Sequence, residues 1–186
     1  MLSLVIGGAR SGKSRFAQSL CSHAPRVVYL ATARAEDAEM AERIRRHQSS
    51  RPAHWITCEE PLEIASAVER YAGGCDCLLL DCLTLWLSNF CLEHRAEPEA
   101  SIESAALREV ARLAAAAAAS HVVMVTNEVG CGLVPETQLG RFFRDLQGWV
   151  NQETARLADS VYFMVAGIAM PVKQPGTGLG SHEKVF

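Results

Sequence analysis

Residues 7–14 read GGARSGKS and fit the pattern G-x-x-x-x-G-K-[ST], with Gly7, Gly12, Lys13 and Ser14 at the fixed places. This pattern works only as the joint between a buried strand and a helix. The glycines let the backbone curl until its N–H groups face an anion. The helix that follows aims its positive end at the same point. Both flanks meet the demand: LSLVI (2–6) is apolar, and KSRFAQSLCSH reads as helix. Gly7, Gly8, Ala9, Arg10, Ser11, Gly12, Lys13 and Ser14 are therefore expected to hold a nucleoside triphosphate. Lys13 would reach the β- and γ-phosphates, and Ser14 would ligate Mg²⁺. The motif does not identify the base.

The rest of the chain alternates in the same way. RVVYLATA (26–33), CLLLDCLTL (77–85), HVVMVTNE (121–128) and SVYFMVAGI (160–168) are further apolar runs. Continuous runs of this length suit strands covered on both faces. Between them lie helical stretches, AEDAEMAERIRRHQ and RFFRDLQGWVNQETARLA among them. In 101–119, Ile102, Ala106, Val110, Leu113 and Ala117 share one stripe. This order predicts an α/β, P-loop NTPase-like fold: a mostly parallel sheet with helices on both faces. Residues 86–101 and 129–140 read as loops. One domain over 1–186 is expected, with a flexible glycine-rich tail from about 174.

Composition excludes several alternatives. A net charge of −3 gives no reason to expect nucleic acid as a partner. LLLDCLTLWL is too short for a membrane span and carries Asp81. No signal-peptide pattern opens the chain, so a cytoplasmic location is expected. The seven cysteines include no C-x-x-C pair and no zinc spacing, which favours reduced, buried thiols.

Two further features bear on chemistry. A phosphate loop wants an acidic residue at a strand end to help hold Mg²⁺, and CLLLD offers Asp81. The second is ERIRRHQSSRPAHW (42–55). Met40, Ile44 and His47 share a helix face, and Pro52 should stop that helix near Arg51. Arg43, Arg45, Arg46 and Arg51 surround His47 in sequence. A neutral imidazole is a nucleophile and an arginine cluster attracts a polyphosphate, so His47 could attack phosphorus; a solvated helix end is the plainer alternative. Glu128 is a candidate base, or a turn carboxylate. Arg10 and Asn127 could touch phosphates or serve structure. Trp55, Trp86 and Trp149 read better as packing residues than as stacking platforms.

GGARSGKS, RIRRHQSSRPAHW and VTNEVGCGLVPE followed by GWVNQ, in this order, resemble the bifunctional adenosylcobinamide kinase / adenosylcobinamide-phosphate guanylyltransferase family of cobalamin biosynthesis. The resemblance runs from residue 2 to about 170. It implies phosphorylation of adenosylcobinamide by ATP or GTP. It then implies transfer of GMP from GTP, through a guanylylated histidine, to give adenosylcobinamide-GDP and pyrophosphate. The matching histidine is His47. The implied nucleotide-binding residues are the loop 7–14, Ala31, Thr32, Ala33, Gln48, Ser49, Ser50, Arg51, Glu59 and Asp81, with Ser14 and Asp81 as Mg²⁺ ligands. The resemblance also implies a homo-oligomer, a trimer, whose partner is the corrinoid substrate. A P-loop small-molecule kinase without a covalent guanylyl intermediate is the alternative.

Overall fold

The computed structural model describes residues 1–35, 37–49 and 51–175. Ser50 and all but the first two residues of the expected tail lie outside them. In chain order the elements are β1 (Leu2–Gly7), α1 (Lys13–Cys21), β2 (Val27–Ala31), α2 (Ala38–Ser49), β3 (Ile56–Glu59), α3 (Ile64–Ala72) and β4 (Cys77–Asp81). Then come α4 (Leu83–Glu93), α5 (Glu99–Ala116), β5 (His121–Asn127), α6 (Gln138–Leu157), β6 (Ser160–Val165) and β7 (Ile168–Lys173).

The strands form one sheet in the order β3-β2-β4-β5-β1-β6-β7. Every pairing is parallel except β6 with β7. Four of the five runs read as doubly covered strands are so, β1, β2, β4 and β5 burying nearly every residue; the fifth, 160–168, is not, since β6 ends at Val165, only partly covered, and Ile168 already opens β7 beyond a turn. One face packs Leu4, Leu30, Leu80 and Met124 against α3, α4, α5 and α6. The other packs Val5, Tyr29, Leu79 and Val125 against Ala17 and Cys21 of α1. The predicted stripe of α5 is the buried one, with Ile102, Ala106, Val110, Leu113 and Ala117 all at 4% exposure or less. Trp86 is fully buried, its Nε1 donating to Leu62 O at 2.8 Å, and Trp55 is buried as well.

Several sequence expectations need correction. The run 77–85 is not one strand: β4 stops at Asp81 and α4 begins at Leu83. Residues 86–101 are mostly helix, because Trp86, Leu87, Phe90 and Cys91 bury a face that reads as apolar all round. Of 129–140, the last three residues already belong to α6, which Thr137 caps by accepting from Gly140 N at 3.1 Å. Strands β3 and β7 and helix α3 were not foreseen. The two strands lie at the sheet edges and are mostly exposed; β3 is short and half polar, and β7, though apolar, is interrupted by Pro171. The expectation of reduced, buried thiols holds for Cys75, Cys82 and Cys91; Cys58 and Cys131 are free thiols but half-buried and exposed, and Cys21 and Cys77 are disulfide-bonded. The last turn of α1 lies on the start of β4 and brings their Cα atoms to 5.8 Å, within bridging range. Among the described residues, no helix is long and apolar enough to cross a membrane.

Candidate active site

In an open parallel sheet, ligands bind beyond the carboxyl ends of the strands. The strand register brings most of the expected site residues to that edge. Ala31 lies opposite both Asp81 and Glu59, and Gly7 opposite Asn127 and Met164. One strand, β5, separates the strand of Asp81 from the phosphate-loop strand.

The loop is shaped by close backbone approaches. A Cβ on Gly7 would sit 2.6 Å from Met164 O, so only glycine fits beside β6. Gly12 has φ +94°, and a Cβ there would also meet Gly167 Cα at 3.2 Å. Gly167 itself lies in the turn between β6 and β7 and donates its N–H to Ser11 O at 3.0 Å. The loop is thus braced from below by an edge hairpin. A cleft beside it is lined by Arg10, Ser11, Glu128 and Cys131 and also by residues 163–166 of the hairpin. Ser11 Oγ is buried with no hydrogen-bond partner, as suits a hydroxyl that meets an anion.

Lys13 is 8% exposed and donates from Nζ to Gly8 O at 2.6 Å. Burial lowers its pKa below the ordinary lysine value, opposed by the negative charge of Asp81. Cys82 adds no charge at neutral pH, because burial and the neighbouring Asp81 push its thiol up to about 12. The Lys13 ammonium is therefore held in a half-desolvated place, where a phosphate gains more from it than in water.

Asp81 accepts a 2.6 Å hydrogen bond from Tyr29 Oη at Oδ2. Its peptide bond to Cys82 is cis. Just beyond it, Thr32 is fully buried. Its hydroxyl donates to Cys82 O at 2.8 Å and accepts from Cys82 N at 2.9 Å. Its N–H donates to Asp81 O, and its carbonyl accepts from Asn89 Nδ2. With all its polar groups engaged, Thr32 clamps the ends of β2 and β4 together, and Ala31 and Ala33 remain half-exposed beside it. Ser14 and Asp81 supply hard oxygen donors of the kind Mg²⁺ takes. Among the described residues no three His, Cys, Asp or Glu side chains cluster to hold a metal. An ion here would lean on substrate phosphates and water, which is how phosphate-loop sites hold Mg²⁺.

The next strand end is held by a buried polar network that the sequence reading missed. Thr126 Oγ1 donates to Asn151 Oδ1 at 2.7 Å, and Gln147 Nε2 donates to the same oxygen at 2.9 Å. Asn151 Nδ2 donates to Asn127 O at 3.1 Å, while Asn127 N donates to Thr84 Oγ1 at 2.9 Å. This network thus fixes the Asn127 backbone. Glu128 follows it, donating its N–H to Gly7 O, its Oε1 accepting from Gly130 N at 2.7 Å. The signal available in the sequence was Asn151 in GWVNQ, a polar residue in register with Leu146 and Val150 on a buried face.

The His47 segment is built differently. Helix α2 ends at Ser49, just before the proline, as expected. Met40, Ile44 and His47 are half-buried, whereas Arg45, Arg46, Gln48 and Ser49 are exposed. Among the described residues α2 packs extensively against no other element. Its ties are polar: Asp37 caps Met40 N at 2.7 Å, Glu42 pairs with Arg45 and Arg46, and Gln48 Nε2 reaches Glu59 at 3.4 Å. Arg51 turns back to the sheet. Its guanidinium lies 3.5 Å from the centroid of the Tyr29 ring, its Nη1 donates to Thr57 Oγ1 at 3.3 Å, and its Nε is buried without a partner. Gln48, Arg51, Glu59 and Asp81 thus form one connected patch. The loop 7–14 forms a second, across β5.

A family model described as cobinamide kinase / cobinamide phosphate guanyltransferase matches residues 3–172. The bifunctional adenosylcobalamin biosynthesis protein CobU of Salmonella typhimurium is 44% identical, covering 93% of this chain and all of that protein. The bifunctional adenosylcobalamin biosynthesis protein CobP of Pseudomonas aeruginosa is 42% identical, covering 93% of this chain and 98% of that one. Among solved structures, a prototypical ATPase from the type III secretion system of pathogenic bacteria superimposes with a TM-score of 0.55 at 12% identity. The alignment covers 91% of this chain but 56% of that ATPase, and the likeness is one of fold.

Proposed function

Because the chain belongs to the cobinamide kinase / cobinamide phosphate guanyltransferase family, we propose that its phosphate loop and His47 act in turn on one corrinoid substrate. The enzyme is bifunctional: it phosphorylates cobinamide and then guanylylates the phosphate, within cobalamin biosynthesis. The observation that carries the assignment of residues is a braced phosphate cradle together with, on a separate helix, a half-buried histidine next to the exposed Arg45 and Arg46.

In the kinase step, the triphosphate of ATP or GTP lies on the N–H groups of residues 7–14 with Lys13 at its β- and γ-phosphates. The aminopropanol hydroxyl of adenosylcobinamide attacks the γ-phosphorus, and the bond to the β–γ bridging oxygen breaks. Glu128, at the mouth of the loop with Oε2 left to accept, takes the hydroxyl proton. Ser14 and Asp81, with the phosphates, would hold Mg²⁺, which would supply charge neutralisation. In the transferase step, His47 attacks the α-phosphorus of GTP. An N–P bond forms and pyrophosphate leaves, its charge met by Lys13. A phosphate oxygen of adenosylcobinamide phosphate then attacks the same phosphorus and frees His47. Splitting one displacement into two lets the donor leave before the acceptor reacts.

Among the described residues the helix of His47 packs extensively against no other element, and the second step needs that helix to meet the nucleotide. A homo-oligomer, a trimer, would supply a surface against which it settles. A cytoplasmic location belongs to the same reading.

The test is retention of label. Purified protein is incubated with Mg²⁺ and GTP labelled at the α-phosphate, with γ-labelled GTP in parallel. The expected result is α-label on the protein, lost in acid and kept in base, and absent from His47→Ala. No retained α-label overturns the covalent mechanism and leaves a plain phosphoryl transferase.

A further inference from the structure

The Tyr29 phenol links the two halves of the site. Tyr29 is 2% exposed, in the middle of β2, on the sheet face that carries α1. A buried phenol needs a partner for its hydroxyl, and the partner here is Asp81 Oδ2 at 2.6 Å. A carboxylate at a strand end otherwise turns freely about its last bond, since that torsion is broad. A short hydrogen bond from a neutral hydroxyl to an ionised oxygen is among the stronger kinds. It fixes the carboxylate plane and leaves Oδ1 as the oxygen free to serve the site. The ring face is covered by the Arg51 guanidinium, four residues after His47.

We propose that Tyr29 is a positioning residue that sets the free oxygen of Asp81 for the phosphate-loop metal, and that Arg51, stacked on its ring, ties this setting to the His47 helix. The inference rests on the reading of Asp81 as a metal ligand. Removing a group that orients a metal ligand typically weakens the metal site by about 10–100-fold.

The experiment is a Mn²⁺ titration of the full-length protein with a non-hydrolysable GTP analogue, followed by loss of the free-ion EPR signal. Tyr29→Phe keeps the ring and its stack and removes only the hydroxyl. It should weaken Mn²⁺ binding by about 10-fold, with Asp81→Asn weakening it at least as much. The double variant should be no weaker than Asp81→Asn alone, because Tyr29 acts through Asp81. If Asp81→Asn weakens binding and Tyr29→Phe does not, the inference fails and the metal role of Asp81 stands. If neither does, Asp81 is no metal ligand and the inference falls with it. Additive losses overturn it too, since Tyr29 would then act elsewhere. Should Tyr29→Phe not fold, Arg51→Ala carries the test. Its side chain is only half-buried, and about threefold weaker Mn²⁺ binding is expected on loss of the stack, given the modest strength of such contacts. Wild-type binding by Arg51→Ala in that case overturns the proposal.

Discussion

The phosphate loop and helix α2 carry the two halves of the proposed chemistry and are held in opposite ways. The loop is pinned by backbone contacts from β6 and the hairpin turn, and its lysine is nearly buried. Helix α2 stands on salt bridges and side-chain hydrogen bonds, most of them exposed. Exposed ion pairs contribute only about 0–1 kcal/mol each. The cradle is thus held by the packed sheet, whereas among the described residues α2 is held mostly by exposed polar contacts.

That contrast can be broken by substitutions on either side. The largest expected effect is on α2: His47→Ala should abolish retained α-label, yet phosphorylate adenosylcobinamide within about threefold of wild type, as groups acting in separate steps should. Loss of both activities would show that the halves are not separable. Next comes Lys13→Ala, which should lower phosphoryl transfer by about 10²–10³-fold, the scale for one preorganised donor. It should depress guanylylation as well, since both steps use the same cradle; steady-state assays with each labelled nucleotide would check this.

Stability should divide the same way. Asn151→Ala removes the acceptor of the Thr126 hydroxyl, one of the two acceptors of Gln147 Nε2 and a donor to the Asn127 carbonyl, and should cost about 1–3 kcal/mol by denaturant unfolding. Arg45→Ala, on α2, should cost less than about 0.5 kcal/mol. The smallest effect concerns acid. Burial, and then the N-terminal charge, lowers the His121 pKa from its ordinary 6.5, so below about pH 6.5 the unfolded chain binds a proton that the folded chain refuses. Stability should fall as pH drops through that window. His121→Gln should flatten this limb of the unfolding curve, and Arg45→Ala should not.

The same contrast decided what could be read in the sequence. The cradle was legible residue by residue, because glycine, lysine and serine at fixed offsets have one joint physical use. The central strands were legible because both their faces are covered. The edge strands were not: Ile168, Met170 and Val172 alternate on an exposed strand next to the tail. Helix α4 was misread because an apolar run buried in the core has no helical period to show. His47 was legible as chemistry only through resemblance, since four neighbouring arginines describe a solvated helix equally well. Tyr29 was invisible as anything but core, since its hydroxyl finds Asp81 only through the pairing of β2 with β4.

The close approach of Gly12 to Gly167 bears on how this protein can vary. Strands β6 and β7 sit at the outer margin of the sheet and look like an accessory that could be trimmed or replaced. Their turn is nevertheless the floor of the anion cup. A side chain at 12 would press on Gly167 Cα, and one at 167 would be strained by its own φ of +83°, so both ends of this contact, some 155 positions apart, favour glycine. The hairpin and the loop are therefore inherited as one part, and a recombination point between them would be silent in the sheet and costly at the phosphate.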